Sequence, residues 1–490
     1  MKKKIVFFFP SYGSNEAAPP LALIAIAGPL VSEGYEIRII DTALEPDFVG
    51  AVVRESAGAL CLGISLITGP MIEGPIAVSR AVREKYPNLP IILGGWHPSI
   101  LPQQTLDCQY VDAVVVKQGE LTFLELVKRL EAGESLRGVP GTLTKEDGQV
   151  IWNPPRPHTP VGQLPSRMPG YDLIDYERYY KATGLRWVMY TSSHGCPYNC
   201  SYCSNAAVYG RNLDLLPVEQ AVDEVTYLVR KYHIKLVGLI DDIYFAFRPR
   251  SIEMAEGFLR SGLKFEWYIQ DRADSWERMT PAQARLFARS GLVRIHFGAE
   301  SGSDAVLKSI DKKSDRESTL AAVERCKEAG IRASFGFIFG LPAEEEEDLQ
   351  QTVDLIREIY ERYNRADCYT NIFTPYPGSP AWPESIAKGL VPPASFEEWA
   401  EFYPRLTMLP WLSGGRHRRL QAIRQYLRFG YHQVKVGEER HSWRHRLVLN
   451  ALKPSSQWRI RAHQFGLPLE VYGYWGLQRL KSNLRLYERF

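Results

Sequence analysis

Twice along its 490 residues this chain alternates short, uninterrupted apolar runs with longer segments of helical period. That alternation constrains its fold more than any other feature. In the first 140 residues the apolar runs are Ile5–Phe9, Glu36–Ile40, Ala59–Leu66, Pro90–Leu93 and Ala113–Val116. Helical segments fall at Leu21–Ser32, Pro46–Ser56, Gly74–Tyr86 and Leu121–Glu131. A strand that is apolar on both faces must be covered on both faces, so the pattern predicts a parallel sheet between two helix layers. In such a doubly wound sheet, ligands sit at the carboxyl ends of the strands. Ser65 closes the third predicted strand, Gly94-Gly95-Trp96-His97-Pro98 follows the fourth, and Gly119-Glu120 follows the fifth. The paired glycines let the backbone approach a ligand with no Cβ in the way.

Residues 139–170 hold seven prolines. A hairpin is predicted there, Gly141–Thr144 with Gln149–Trp152 around an Asp147-Gly148 turn, followed by an extended crossing from Pro154 to Pro169. The alternation then resumes. Strands are expected at 187–191, 236–240, 265–269, 293–298, 332–339 and 367–373, and helices near 217–231, 249–260, 281–289, 316–328 and 346–361. Pro217 and Pro281 at helix starts, and Gly262, Gly291 and Gly330 just past helix ends, obey the asymmetry of helix termini. Six strand–helix units succeed one another, and as in full barrels of such units chemistry is expected at the carboxyl strand ends.

Between the first two of these strands lies His194-Gly195-Cys196-Pro197-Tyr198-Asn199-Cys200-Ser201-Tyr202-Cys203, which holds three of the chain's seven cysteines. Three thiolates at Cys-x3-Cys-x2-Cys spacing suit one metal centre. A structural zinc wants four protein ligands, so either His194 or a distant residue completes a zinc knuckle, or an iron of a cluster stays open for another molecule. Seven cysteines with one cluster of three do not make a disulfide framework and fit a reducing compartment.

The loop resembles the signature of the radical S-adenosylmethionine (SAM) superfamily, in which three cysteines hold a [4Fe-4S] cluster and SAM chelates the fourth iron. The resemblance implies that Cys196, Cys200 and Cys203 are the cluster ligands and that Tyr202 is the aromatic residue before the last of them. It places SAM contacts at the ends of the later strands: Asp241 and Asp242, where other members have Gly-Gly-Glu; Glu300 and Ser301; and Gly336 and Gly340 in Gly336-Phe337-Ile338-Phe339-Gly340. The turn Thr374-Pro375-Tyr376-Pro377-Gly378-Ser379-Pro380 is similar to one in the cobalamin-associated subfamily. An acidic strand end can also be a helix cap, and a glycine-rich one a packing device.

The first domain is similar to the cobalamin-binding domain that precedes the radical SAM core in that subfamily. Its flavodoxin-like fold would then place Ser65, Gly94, Gly95, His97, Gly119 and Glu120 around a corrin. A generic nucleotide or response-regulator domain would need the same glycines. Many cobalamin-binding domains carry a histidine ligand after the first strand, but Ser11 to Pro20 contains none. His97 is the nearest alternative, as a ligand or as a loop hydrogen-bonding residue. The expected organisation is 1–138 cobalamin-binding-like, 139–185 linker, 186–385 radical SAM core as a partial (β/α)6 barrel, and 386–490 a helical basic and aromatic region.

Residues 405–490 carry 17 Lys+Arg against 4 Asp+Glu, whereas the rest of the chain is net acidic although the total is only +3. Arg416, Arg418, Arg419, Arg424, Arg428, Arg440, Arg444, Arg446, Arg459 and Arg461 interleave with Trp399, Trp411, Trp443, Trp458, Tyr472 and Trp475. Such a tail is a solvated helical cap, a surface for anionic lipid, or a nucleic-acid contact, the last without any recognition motif. The apolar start Ile5–Phe9 ends at Pro10 and reads as a strand, not a signal peptide, and no stretch is long enough to span a bilayer. A cytoplasmic protein, with or without peripheral membrane contact, is expected.

The resemblance implies an enzyme in which the reduced cluster cleaves SAM to methionine and a 5′-deoxyadenosyl radical, and methylcobalamin then methylates an unactivated carbon of a small-molecule or lipid substrate. An electron donor such as flavodoxin or ferredoxin would serve it. Relatives of this architecture also catalyse cyclisation, oxidation or rearrangement, and a non-catalytic cobalamin or metal sensor with a nucleic-acid-binding tail is the reading from another class.

Overall fold

A computed structural model describes residues 3–10, 17–403, 409–431 and 443–476. The chain divides into two compact units that interleave along the sequence. The first comprises residues 1–271, 282–294 and 374–407; the second comprises 272–281, 295–373 and 408–490.

The first unit begins with β1 (Lys4–Phe9), α1 (Leu21–Ser32), β2 (Glu36–Asp41), α2 (Phe48–Glu55), β3 (Ala59–Ser65), α3 (Glu73–Lys85) and β4 (Ile91–Gly94). Two short helices, α4 (Trp96–Ile100) and α5 (Pro102–Asp107), precede β5 (Ala113–Val115) and α6 (Glu120–Ala132). The strand order is β2-β1-β3-β4-β5, parallel throughout, as the alternation predicts. The order reverses between β1 and β3, so those two strand ends diverge and leave a crevice. The predicted hairpin forms as β6 (Thr142–Glu146) and β7 (Gln149–Trp152), and it extends the sheet: β6 pairs antiparallel with β5. Residues assigned from sequence to a linker therefore complete the first sheet. Pairing with β5 removes an exposed parallel edge.

Two cores flank this sheet. One holds Ile5, Phe7, Leu23, Ala27, Leu30, Phe123 and Leu126. The other holds Val6, Phe8, Ile64, Val78, Ile91 and Leu93, and it also takes in Leu390, Phe396, Trp399 and Phe402 from the far end of the chain. Odd and even positions of β1 thus feed opposite layers, the period of two that a doubly covered strand requires. The distant segment is pinned by polar bonds as well. Trp399 Nε1 donates to Gln104 Oε1 (2.7 Å), and Gln104 Nε2 donates to the Pro393 carbonyl (3.0 Å).

The crossing after β7 is tied down at several points. Gln118 exchanges two hydrogen bonds with Thr159 (2.8 and 2.9 Å), and Asp214 accepts from the Val161 N–H (2.7 Å) and bonds His158 (2.9 Å). The helix α7 (Met168–Tyr171) lies so close to α1 that a Cβ on Gly170 would meet the Ile24 carbonyl oxygen at 2.1 Å. After α8 (Tyr176–Thr183) come β8 (Trp187–Tyr190), the short strand β9 (Ser193–His194), α9 (Asn205–Tyr209), β10 (Asp214–Leu215), α10 (Val218–Tyr232), β11 (Leu236–Leu239) and α11 (Arg248–Arg260). Strand β12 (Glu266–Arg272) follows; β8, β11 and β12 pair in parallel in that order.

The short helix α12 (Ala273–Glu277) belongs to the second unit, and α13 (Pro281–Arg289) to the first but for its initial proline. Strand β13 (Leu292–Glu300) enters the second unit at Ile295. There the chain continues through α14 (Asp304–Ser309), α15 (Arg316–Ala329), β14 (Arg332–Phe339), α16 (Glu346–Arg362) and β15 (Ala366–Ile372), with β14 and β15 parallel. Six strand–helix units therefore succeed one another at the predicted positions. Beyond them, α17 (Ala381–Ala387) is in the first unit, while α18 (Gly414–Tyr431) and α19 (Trp443–Arg461) are in the second. The expected region 386–490 is thereby shared between the two units.

In the second unit many tail arginines bind their own unit. Arg419 forms a two-bonded pair with Glu346 (2.6 and 3.0 Å), Arg416 donates to the Glu344 carbonyl, and Arg424 to that of Thr370 (2.9 Å). Arg459 meets Glu470 (3.1 Å) and Arg461 meets Glu361 (3.5 Å). Arg440 lies outside the described residues, as do the side chains of Trp443, Arg444 and Arg446. Among the described residues, no helix is long and apolar enough to cross a membrane.

Candidate active site

The cysteine loop is held by its neighbours in the first unit. Strands β9 and β10 pair antiparallel, His194 opposite Asp214 and Ser193 opposite Leu215, so the loop leaves and returns at one point. Gly195 has φ +82°, and a Cβ there would meet the Asn212 carbonyl oxygen at 2.0 Å, so only glycine fits. Asp241, fully buried, spends both carboxylate oxygens on the turn before the loop. One accepts from the N–H groups of Ser192 (2.5 Å) and Ser193 (3.1 Å), the other from Ser192 Oγ (2.5 Å). Arg250 braces the same turn through the Ser192 carbonyl (2.9 Å) and Oγ (3.2 Å). The placement of Asp241 among SAM-contacting residues is thus corrected: it positions the loop. Its neighbour Asp242 accepts from the Gly195 N–H (2.8 Å) and faces open space. Burial lifts the Asp242 carboxyl above the usual range, against bonds from Asn205 and Gly195 that lower it.

Cys196, Cys200 and Cys203 follow one another along this loop, with Tyr202 half-buried between the last two. The Cys203 N–H donates to the Cys200 carbonyl (3.0 Å), and the Asn205 N–H approaches Cys203 Sγ (3.5 Å). Burial, with Cys200 and Cys196 nearby, pushes the Cys203 thiol up to about 11. Among the described residues no three His, Cys, Asp or Glu side chains converge as on a single ion. A polynuclear cluster takes each thiolate at a different iron, so three thiols spread around one loop suit it without meeting at a point.

A cavity of about 630 Å3 opens beside this loop, entirely within the first unit. One wall is formed by the carboxyl ends of β1, β3, β4 and β5 with α1: Phe9, Ser65, Gly94, Gly95, Gly119 and Glu120 contribute to it. The other is formed by the ends of β8 and β11 with α9, through Thr191, Ser193, His194, Tyr209 and Asp242. Gly95, at φ +100°, lies so near β3 that a Cβ would meet the Leu66 carbonyl oxygen at 2.5 Å. A Cβ at Gly94, which lines the cavity, would meet only Val115, at 3.5 Å. Ser65, Gly94, Gly95, Gly119 and Glu120 are therefore brought together. Burial raises the Glu120 carboxyl, against its own helix-start N–H groups and Arg167.

His97 is not part of this lining. It is fully buried, its Nδ1 bonded to Thr68 Oγ1 (3.0 Å) and its ring against Phe396 and Trp399 (5.4 and 5.6 Å). Its inclusion among the corrin-facing residues is corrected accordingly, and the loop hydrogen bond is what the structure shows. Burial takes its imidazole down to about 3, so the ring is neutral.

Several lining residues escaped sequence reasoning. Arg167 lies over the Tyr190 ring at 4.3 Å, pairs with Glu224 (3.1 Å) and donates to Thr191 Oγ1 (3.2 Å). Tyr190 OH (2.9 Å) and Gln220 (2.8 Å) complete the bonds to Glu224. Arg167 stands in a proline-rich stretch that reads as a spacer; the only local signal was a cation with no acidic neighbour in sequence. The Tyr209 ring packs nearly perpendicular to Trp96 (5.8 Å between centroids) and tilted by 31° to His194 (5.3 Å).

The remaining expected residues lie in the second unit. Glu300, at φ +63°, pairs with Lys312 (2.8 Å). Ser301 bonds Thr352 Oγ1 (3.0 Å). Gly336 faces the Tyr369 ring, which a Cβ would meet at 2.8 Å. The Gly340 N–H donates to Glu344 Oε2 (2.6 Å), and its carbonyl accepts from Trp411 Nε1 (3.0 Å).

The radical SAM superfamily model matches residues 190–356, and the B12 binding domain model matches residues 14–127. The chain carries a B12-binding domain followed by a radical SAM domain. An uncharacterized methyltransferase of Pyrococcus horikoshii is 29% identical over 418 residues, covering 84% of this chain and 87% of its own. The anaerobic magnesium-protoporphyrin IX monomethyl ester cyclase of Rubrivivax gelatinosus is 27% identical, covering 78% of this chain and 70% of its own. Among solved structures, the radical SAM methyltransferase TsrM of Kitasatospora setae, bound to tryptophan and a SAM analog, superposes with a TM-score of 0.71. That match covers 98% of this chain and all of TsrM at 15% identity, a likeness of fold. The cavity thus lies between the strand ends of the B12-binding domain and the first strands of the radical SAM domain.

Proposed function

We propose that this protein is a cobalamin-dependent radical SAM enzyme that methylates an unactivated carbon of a small-molecule or lipid substrate. The observation that carries the reading is the cavity that joins the strand ends of the B12-binding domain to the cysteine loop. Cys196, Cys200 and Cys203 would hold a [4Fe-4S] cluster, and Ser65, Gly94, Gly95, Gly119 and Glu120 would cradle the corrin. When bound, the cluster with SAM supplies radical chemistry at carbon, and the corrin supplies the methyl group.

The chain's own residues orient and enclose these groups. Asp241 and Arg250 fix the turn before the loop, and Asp242 fixes Gly195 and lines the cavity. We assign to Asp242 and Tyr202, both in the first unit, contacts to SAM. Lys312 holds the Glu300 carboxylate, and Glu344 and Trp411 hold the Gly340 turn. A small electron-transfer protein of the flavodoxin or ferredoxin kind would reduce the cluster. In the tail, Trp458, Leu467, Leu469 and Tyr472 are exposed in a net-basic region, which supports peripheral contact with anionic membrane.

Anaerobic incubation with SAM, cobalamin and a reductant tests the enzyme reading: 5′-deoxyadenosine must form. The likeness to a cyclase favours one second reading, ring formation or oxidation on the same scaffold. With isotopically labelled SAM, methylation transfers label to the product; a product changed in mass but unlabelled assigns the second reading.

A further inference from the structure

The charged side chains lining the cavity are Lys117, Glu120, Arg167, Glu224 and Asp242. Arg167 and Glu224 neutralise one another at 3.1 Å, with side chains 12% exposed each. Lys117 is then the one cation beside two acids, Glu120 and Asp242, that have no cationic partner at hydrogen-bond distance among the described residues. The Tyr209 phenol is near enough to both acids for each to resist its ionisation, and it makes no hydrogen bond to a described residue. Ser193 is 2% exposed, lines the same cavity, and has no partner for its Oγ among the described residues. The space therefore offers hydroxyl donors beside carboxyl acceptors, and its charged lining holds three acids (Glu120, Glu224, Asp242) against two cations (Lys117, Arg167).

We propose that this cavity selects a ligand rim of neutral primary carboxamides and rejects carboxylates at the same positions, with Glu120 as the specificity-determining residue and Tyr209 as a donor to the amide oxygen. A primary amide both donates and accepts, so it can give a proton to Glu120 and receive one from Tyr209 or Ser193. A carboxylate only accepts, and it brings a further negative charge beside acids whose ionisation burial already opposes. The inference rests on the cobalamin reading above, since a corrin of that class carries carboxamides around its edge.

Full-length protein is titrated with hydroxocobalamin and with cobalamin carboxylic acids made by mild hydrolysis of the side-chain amides, following corrin absorbance and tryptophan fluorescence. The acids are expected to bind at least about tenfold more weakly, a difference of about 1.4 kcal/mol. Glu120→Gln should bring that ratio below about threefold. Tyr209→Phe should weaken binding of the amide form. Equal binding of amide and acid forms by the native protein overturns the proposal, as does an unchanged ratio in Glu120→Gln. Absence of hydroxocobalamin binding is a separate result that removes the cofactor reading itself.

Discussion

At the scale of single residues, the site depends on positions where one atom more or less changes the outcome. Replacing Cys200 by alanine is expected to abolish both the cluster's visible absorbance and SAM cleavage; survival of either would contradict its role as a ligand. Gly95→Ala combines a left-handed backbone with a clash against the Leu66 carbonyl. It should lower stability by about 1–3 kcal/mol in a urea melt and weaken corrin binding. An unchanged melt would show that the loop yields easily. Such positions were partly legible in sequence: the Cys-x3-Cys-x2-Cys spacing and the paired glycines are local chemistry. Asp241 and His97 were not. A carboxylate at a strand end looks the same whether it faces a ligand or a loop backbone, and a histidine after Gly-Gly looks the same whether it is open or packed under Trp399.

Elements carry the next kind of constraint. Beyond β14, Glu344 is 2% exposed, and burial lifts its carboxyl from 4.5 to about 7, against the Gly340 N–H and Arg416. The folded protein thus binds this proton more tightly than the unfolded chain. Stability contributed by the group is complete below about 4.5 and is lost as pH rises towards about 7. The loss should amount to about 3 kcal/mol at most, and Glu344→Gln should flatten that part of the stability–pH curve. A native slope that persists in Glu344→Gln would assign it to other groups. For α19 and the segment after it, the test is binding. Sedimentation with anionic vesicles should fall when Trp458 and Leu469 are both changed to serine, and vesicles of neutral lipid should not bind. Retention of the variant on anionic vesicles would dismiss that surface.

For the whole molecule, the segment 374–407 closes the first unit from the far end of the chain. Trp399 is 1% exposed in the core of the B12-binding domain. Trp399→Ala should therefore destabilise that domain by about 3–5 kcal/mol and release bound cobalamin on mild heating, though the mutation lies more than 250 residues away in sequence. Truncation after residue 385, a natural boundary by composition, should give a first domain with exposed apolar surface. A cleanly folded, cobalamin-binding product of that truncation would refute the contribution of the segment.

Strand and helix positions, parallel pairing and the cysteine loop followed from the sequence alone, because each depends on periodicity or spacing over a few residues. The carboxyl strand ends were legible for the same reason. Only the tertiary structure decided what those ends face. It brought Arg167, out of a proline-rich crossing, onto Tyr190 and Glu224; it turned Asp241 towards Ser192 and Asp242 towards the cavity; and it placed Phe396 and Trp399 beneath His97. These arrangements join residues tens to hundreds of positions apart. They arise from satisfying buried polar groups and filling a shared core, neither of which leaves a periodic trace in the chain.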